Sequence, residues 1–220
     1  MQLLLTIHFL LTLLATQPME NKFTFLALGD SYTIGEAVDE SERWPSQFVQ
    51  RMNVAGKSFH APEIIAKTGW TTDELQAAIA EKNPKGPYDL VSLLIGVNNQ
   101  YRGNSLEVYK KEFIELLEQA LVFAGNNPKH VVVISIPDWG VTPFAEGRDR
   151  NKIASEIDQF NFINREVAAA FGVVYVDITA HSRTASEDED LIATDKLHPS
   201  AKMYSYWSDR VFEAMKDQYQ

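Results

Sequence analysis

The sequence predicts an α/β protein: one parallel sheet of about five strands with helices on both faces. Three observations carry this. Short apolar runs alternate with helical patterns from Phe23 to the C-terminus, and strands that alternate with helices need crossover connections, hence parallel pairing. The third apolar run, Leu90 to Ile95, has no polar face and suits a strand covered on both sides. Four conspicuous short segments each follow a strand, at the sheet edge where open α/β folds bind ligands.

In order, Phe23 to Leu28 reads as the first strand, running into the turn Gly29-Asp30-Ser31. A polar loop, Asp39 to Glu42, precedes a helix whose first turn takes Pro45 and whose inner face carries Phe48, Val49 and Met52. Glu63 to Ala66 is a short second strand. Thr71-Thr72-Asp73-Glu74 has the pattern of a capping box and opens a helix bearing Leu75, Ala78 and Ile79. After the third strand, Asn104 with Glu107 signals a helix start. Phe113, Leu116, Leu117, Ala120, Leu121 and Ala124 follow at helical spacing, up to Gly125. His130 to Ile136 is a fourth strand. A helix over Ile153, Ile157, Phe160, Val167 and Phe171 closes at Gly172, and Val173 to Val176 is the fifth strand. Met203, Trp207, Val211 and Met215, four apart, line a last helix. There is no internal repeat, low-complexity tract or linker.

The chain of 220 residues is long enough for one well-buried core. Hydrophobic residues at 45% and charged residues at 23% describe a globular protein. Thirty acidic residues against 20 basic ones give a net charge of −10, with no basic cluster to follow a phosphate backbone, so nucleic acid is not an expected partner. The absence of cysteine removes disulfides, thiolate metal sites and a cysteine nucleophile. Leu3 to Ala15 is apolar but shorter than the ~20 residues that span a bilayer, so no stable membrane span is expected. Residues 1–18 fit either a cleaved signal-like leader, which means export, or an over-extended start before Met19, which means a cytoplasmic protein. Residues 20–220 then form one domain. Nothing in the sequence indicates an oligomeric state.

Ser31 stands at the carboxyl end of the first strand, yet a serine hydroxyl is a weak nucleophile unless a base takes its proton. Histidine is the side chain whose ordinary titration suits that base. Of five, His8 lies in the leader, His60 and His130 open strands at the opposite edge, and His181 falls in a polar loop. Only His198 has a carboxylate, Asp195, three residues before it on one turn. Asp30, next to Ser31, points elsewhere and is read as structural. Trp44, Trp70, Trp139 and Trp207 are read first as packing residues. Glu187 to Asp190 is a solvated acidic loop without the glycine turn of a calcium site.

Gly29-Asp30-Ser31, Gly69, Gly96-Val97-Asn98 and Asp195-Lys196-Leu197-His198 resemble, in order, the four marker blocks of the SGNH, or GDSL-type, hydrolases. The likeness runs from Phe23 to the C-terminus. It implies a flavodoxin-like three-layer α/β/α fold and carboxylic ester hydrolysis through an acyl-enzyme, with no cofactor and no metal. It implies Ser31 as nucleophile, His198 as base and Asp195 as its orienting group, with an oxyanion hole from the Ser31 and Gly69 amides and the Asn98 side chain. Two positions depart from the family pattern: Tyr32 replaces a leucine and Asn99 an aspartate. Neither has a chemical role there, so both bear on substrate preference.

Other classes fit less well. An α/β-hydrolase elbow needs Gly-x-Ser-x-Gly, and Thr33 stands two after Ser31. A dinucleotide site needs Gly-x-Gly-x-x-Gly. A metal phosphoesterase using Asp30, Asn98, Asp195 and His198 wants several converging histidines. A non-catalytic binding module on this fold is expected to have lost Ser31 or His198. The loop Pro137 to Arg148 leaves the sheet at the active edge and is stiffened by two prolines. Trp139 and Phe144 on it, with Trp70, are the candidate substrate-pocket residues, and a shallow pocket for short acyl groups is expected. Lipid esters, thioesters, acetylated sugars and aryl esters all suit the chemistry.

Overall fold

The computed structural model describes residues 22–219, so the leader reading for residues 1–18 lies outside the described residues. Five strands form one parallel sheet: β1 (Phe25–Gly29), β2 (Glu63–Ala66), β3 (Leu90–Leu94), β4 (Val131–Ile134) and β5 (Val174–Val176), in the order β2-β1-β3-β4-β5. This is the flavodoxin-like order, with its crevice at the point where the strand order reverses, between β1 and β3. Leu28 pairs with Ile65 on one side and Leu93 on the other, so β1 lies inside the sheet.

Among the described residues, eight α-helices form: α1 (Ser31–Ile34), α2 (Trp44–Val54), α3 (Thr72–Lys82), α4 (Val97–Tyr101), α5 (Leu106–Phe123), α6 (Arg150–Ala170), α7 (Thr179–Ser182) and α8 (Ala201–Met215). Helix α2 packs on α8, and α5 packs between α3 and α6. All five residues of β1 and of β3 are buried. The α8 stripe of Met203, Trp207, Val211 and Met215 is buried throughout, each such side chain contributing about 1.5–3 kcal/mol over exposure.

The helix starts have local causes. In the capping box of α3, the Thr71 amide donates to Glu74 Oε2 at 2.9 Å. Ser200 and Asp149 cap α8 and α6 by accepting from Met203 N and Lys152 N. Helix α5 begins one residue later than its sequence signal, because Ser105 rather than Asn104 turns its side chain back onto Val108 N. The fourth strand is shorter than the Val/Ile run suggests: Pro128–His130 forms a 3-10 turn capped by Asn127. His181 belongs to α7 rather than to a solvated loop, and its ring stacks on Tyr206. The acidic loop is also partly structured, since Asp188 caps a short 3-10 turn and pairs with Lys202 at 2.7 Å.

Candidate active site

Ser31 is the first residue of α1, directly after β1. Asp30 caps this one-turn helix, its Oδ1 accepting from Tyr32 N at 3.0 Å. Gly29 owes its identity to crowding: an added Cβ would lie 2.2 Å from Thr33 Oγ1 and 2.4 Å from the Leu94 carbonyl oxygen. The nucleophile turn therefore presses against the end of β3, closer than any other residue type allows. The Asp30 carboxyl is fully enclosed, and burial pushes it up to about 7 despite the hydrogen bond from Tyr32 N. It faces inward, apart from the site, as its position beside Ser31 suggests.

The second loop places Gly69 at φ +88°, a left-handed conformation that glycine adopts without strain. Its carbonyl accepts from Arg102 Nη2. The third loop forms α4, with Asn98 in its first turn. Asn98 Nδ2 donates to the Trp70 carbonyl at 2.9 Å, which ties the third loop to the second and leaves one amide hydrogen uncommitted. Among the described residues, neither Ser31 N nor Gly69 N donates to a protein acceptor.

His198 and Asp195 sit on the loop before α8. His198 Nδ1 lies 2.5 Å from Asp195 Oδ2, while Oδ1 accepts from Leu197 N at 3.0 Å and His198 N at 2.9 Å. Partial burial raises the Asp195 carboxyl, but the hydrogen bonds from the imidazole and the two amides outweigh it and hold the group below its ordinary range. Tyr32 packs edge-on against the imidazole, ring centroids 5.6 Å apart, and is itself braced by Trp207 of α8. The Ser31 hydroxyl makes no hydrogen bond to the imidazole here, as is common before substrate tightens a site.

Ser31, Gly69, Asn98 and His198 line one cavity of about 200 Å³, shared with Tyr32, Tyr101, Trp139 and Phe144. Trp139 and Phe144 thus stand where the loop from β4 was expected to bring them. Trp70 does not line the cavity; it supplies its carbonyl to Asn98, and its half-buried ring packs on the core. Of the two departures from the family pattern, Tyr32 lines the cavity, whereas Asn99 is wholly buried. Asn99 Nδ2 donates to Thr72 Oγ1 at 2.7 Å and its Oδ1 accepts from Thr72 N at 3.2 Å, bracing α4 against the start of α3. Its contribution is structural, with no face toward substrate.

Tyr101 is a cavity residue that sequence reading missed. Its signal was its place on α4, three after Asn98 and so on the same helix face. Tyr101, Trp139 and Phe144 form an aromatic wall with centroids 5.4–6.4 Å apart. Trp139 Nε1 donates to Gln100 Oε1 at 2.8 Å, and Asp138, buried at the loop's base, pairs with Arg183 at 2.9 Å. Among the described residues, no three His, Cys, Asp or Glu side chains gather as metal ligands, and no helix is long and apolar enough to cross a membrane.

A parallel sheet in this order, with a serine on a tight turn facing a hydrogen-bonded His-Asp pair, has the layout of an SGNH-type hydrolase. Residues 27–206 match the model of the GDSL-like lipase/acylhydrolase family, and the chain belongs to that family as an esterase-type hydrolase. Among solved structures it is similar to a lipase/acylhydrolase from Enterococcus faecalis, with TM-score 0.66 and 20% identity over 90% of this chain and 97% of that one. It is also similar to the psychrotrophic esterase EstA from Pseudoalteromonas sp., with TM-score 0.64 and 15% identity over 89% and 98% of the two chains. A third is the acetyl-xylooligosaccharide esterase Axe2 from Geobacillus, with TM-score 0.65 and 19% identity over 88% and 94%. Among curated proteins, none matches the chain.

Proposed function

We propose that the protein hydrolyses carboxylic esters of short acyl chain by a Ser-His-Asp acyl-enzyme mechanism within a single domain. One observation carries the reading: an imidazole, hydrogen-bonded to a carboxylate, faces the same cavity as a serine that starts a helix. His198 takes the Ser31 proton as Oγ attacks the ester carbonyl. Asp195 holds the imidazole through Nδ1 and stabilises the imidazolium that forms. The tetrahedral oxyanion meets the Ser31 N–H, the Gly69 N–H and the uncommitted Asn98 N–H. Collapse expels the alcohol, which takes its proton from His198, and a water activated by the same imidazole then releases the acid.

The short-acyl preference rests on size. A cavity of about 200 Å³ walled by Tyr101, Trp139 and Phe144 suits an acetyl or butyryl group better than a palmitoyl chain. The similar EstA structure is described as inhibited by monoethylphosphonate, a reagent type that suits the deciding experiment here. Fluorophosphonate labelling followed by peptide mapping is expected to mark Ser31 alone. Ser31→Ala is expected to fold normally and lose about 10⁶ in kcat. Unchanged turnover by a folded Ser31→Ala protein refutes the mechanism, and a kcat/KM maximum at long chains in a p-nitrophenyl ester series refutes the size argument.

A further inference from the structure

The aromatic wall of the cavity carries a cation that no described carboxylate neutralises. Arg148, at the end of the β4–α6 loop, places its guanidinium 5.1 Å from the Tyr101 ring centroid, 5.3 Å from Trp139 and 5.5 Å from Phe144. Nη2 also donates to the Tyr101 hydroxyl at 3.1 Å. All three rings line the cavity that Ser31 and His198 share; Arg148 itself is exposed and stands against them outside the lining, at the rim. Of the other arginines, Arg43, Arg51, Arg102 and Arg183 have carboxylate partners, Arg150 serves the Val141 and Thr142 carbonyls, and Arg165, over Phe162, and Arg210 touch none of the three cavity rings. Among the described residues Arg148 has no ion-pair partner. Its neighbour Asp149 is turned to capping α6.

A guanidinium stacked on rings keeps most of its five N–H donors in a fixed fork, suited to two oxygens of one anion. Three rings hold it in place, so little side-chain entropy remains to be lost on binding.

We propose that Arg148 is the anion-recognition residue of this cavity, and that the favoured substrates are esters bearing a carboxylate or phosphate near the scissile bond. The inference rests on the ester-hydrolase reading above and narrows its substrate class. Nothing in the chemistry of the ester step changes; the anion fixes the ester's orientation against the aromatic wall while Ser31 attacks.

The test pairs charged with neutral esters of matched shape. One pair is mono-4-nitrophenyl glutarate against its methyl ester, read by nitrophenol release. The other is acetylated glycerol phosphate against monoacetin, read by acetate release, and the two pairs separate a carboxylate from a phosphate preference. For at least one pair, the wild-type ratio of kcat/KM, charged over neutral, is expected to fall about 10–100-fold in Arg148→Gln, the usual effect of losing a charged hydrogen bond. Arg148→Lys, which keeps the charge without the fork, is expected to restore part of it. An unchanged ratio in both pairs overturns the proposal. So does an equal fall for charged and neutral esters, which makes Arg148 a packing residue of the wall. Absence of turnover of both the charged and the neutral esters by the wild type overturns the hydrolase reading, and this proposal with it.

Discussion

Asp195→Asn is the most discriminating substitution, because the geometry dictates how the new side chain must sit. Asp195 Oδ1 accepts two backbone N–H groups, from Leu197 and His198, and an NH₂ in that place would oppose two donors. The asparagine carbonyl must therefore keep the Oδ1 position, and its NH₂ takes the place of Oδ2, 2.5 Å from His198 Nδ1. Facing a donor, Nδ1 becomes an acceptor and the ring proton moves to Nε2. That nitrogen can then no longer receive the Ser31 proton. The expected loss is about 10⁴ in kcat, the penalty for locking a triad histidine in the wrong tautomer, or about 5 kcal/mol at 1.36 kcal/mol per tenfold. The assay is turnover of p-nitrophenyl acetate beside a thermal melt. Asp195 is held below the ordinary carboxylate range, so its ionised form stabilises the fold at neutral pH. That contribution is lost as pH falls through the folded-state value, and any gap in stability between the two proteins should close in acid. A kcat within tenfold of wild type, in a protein that melts normally, refutes the orienting role.

Asn98→Ala should lower kcat by about 10²–10³ with little change in KM, since its amide meets charge present only in the transition state; an effect confined to KM means that the residue merely ties α4 to Trp70. Gly29→Ala should destabilise by about 1–3 kcal/mol or more through overpacking against the Leu94 carbonyl, and an unchanged melt refutes the close approach. Asp30, raised by burial to about 7, holds a proton more tightly in the folded state than in the unfolded one. Wild-type stability should therefore fall by about 3 kcal/mol between pH 5 and pH 8 on its account, and Asp30→Asn should flatten that slope in urea melts; parallel slopes count against the inward, dry carboxyl.

Sequence patterns reached the parts of this protein where local and tertiary preferences agree. The apolar runs of β1 and β3 and the four-spaced stripe of α8 are dictated by burial, and the structure has them in place around one parallel five-stranded sheet. The four loop segments were legible because each follows a strand and so must come to one edge. Boundaries were less legible where a neighbouring side chain decides, as at Ser105, which competes with Asn104 for the same cap. Asn99 was misjudged for a related reason: its partner Thr72 is distant in sequence, and no periodicity announces a hydrogen bond between two loops. Tyr101 and Arg148 were passed over because they meet Trp139 and Phe144 only after β3 and β4 have paired.

The last helix has a consequence for how the protein comes into being. Helix α8 is fastened to α2, where Arg51 reaches Ser205, Ser208 and Asp209, and Gln47 reaches the Ala201 carbonyl. The loop carrying Asp195 and His198 is thereby positioned by an element that leaves the ribosome after all five strands. Ser31 precedes His198 by 167 residues, about 10–30 s of synthesis at ~5–20 residues per second. On the proposed mechanism Ser31 waits through that interval for its base, so a nascent chain that has not yet reached His198 is expected to be silent toward esters however well its sheet has formed. On the proposed mechanism activity then reports that synthesis has passed α8, and cleavage that frees α8 is expected to abolish it.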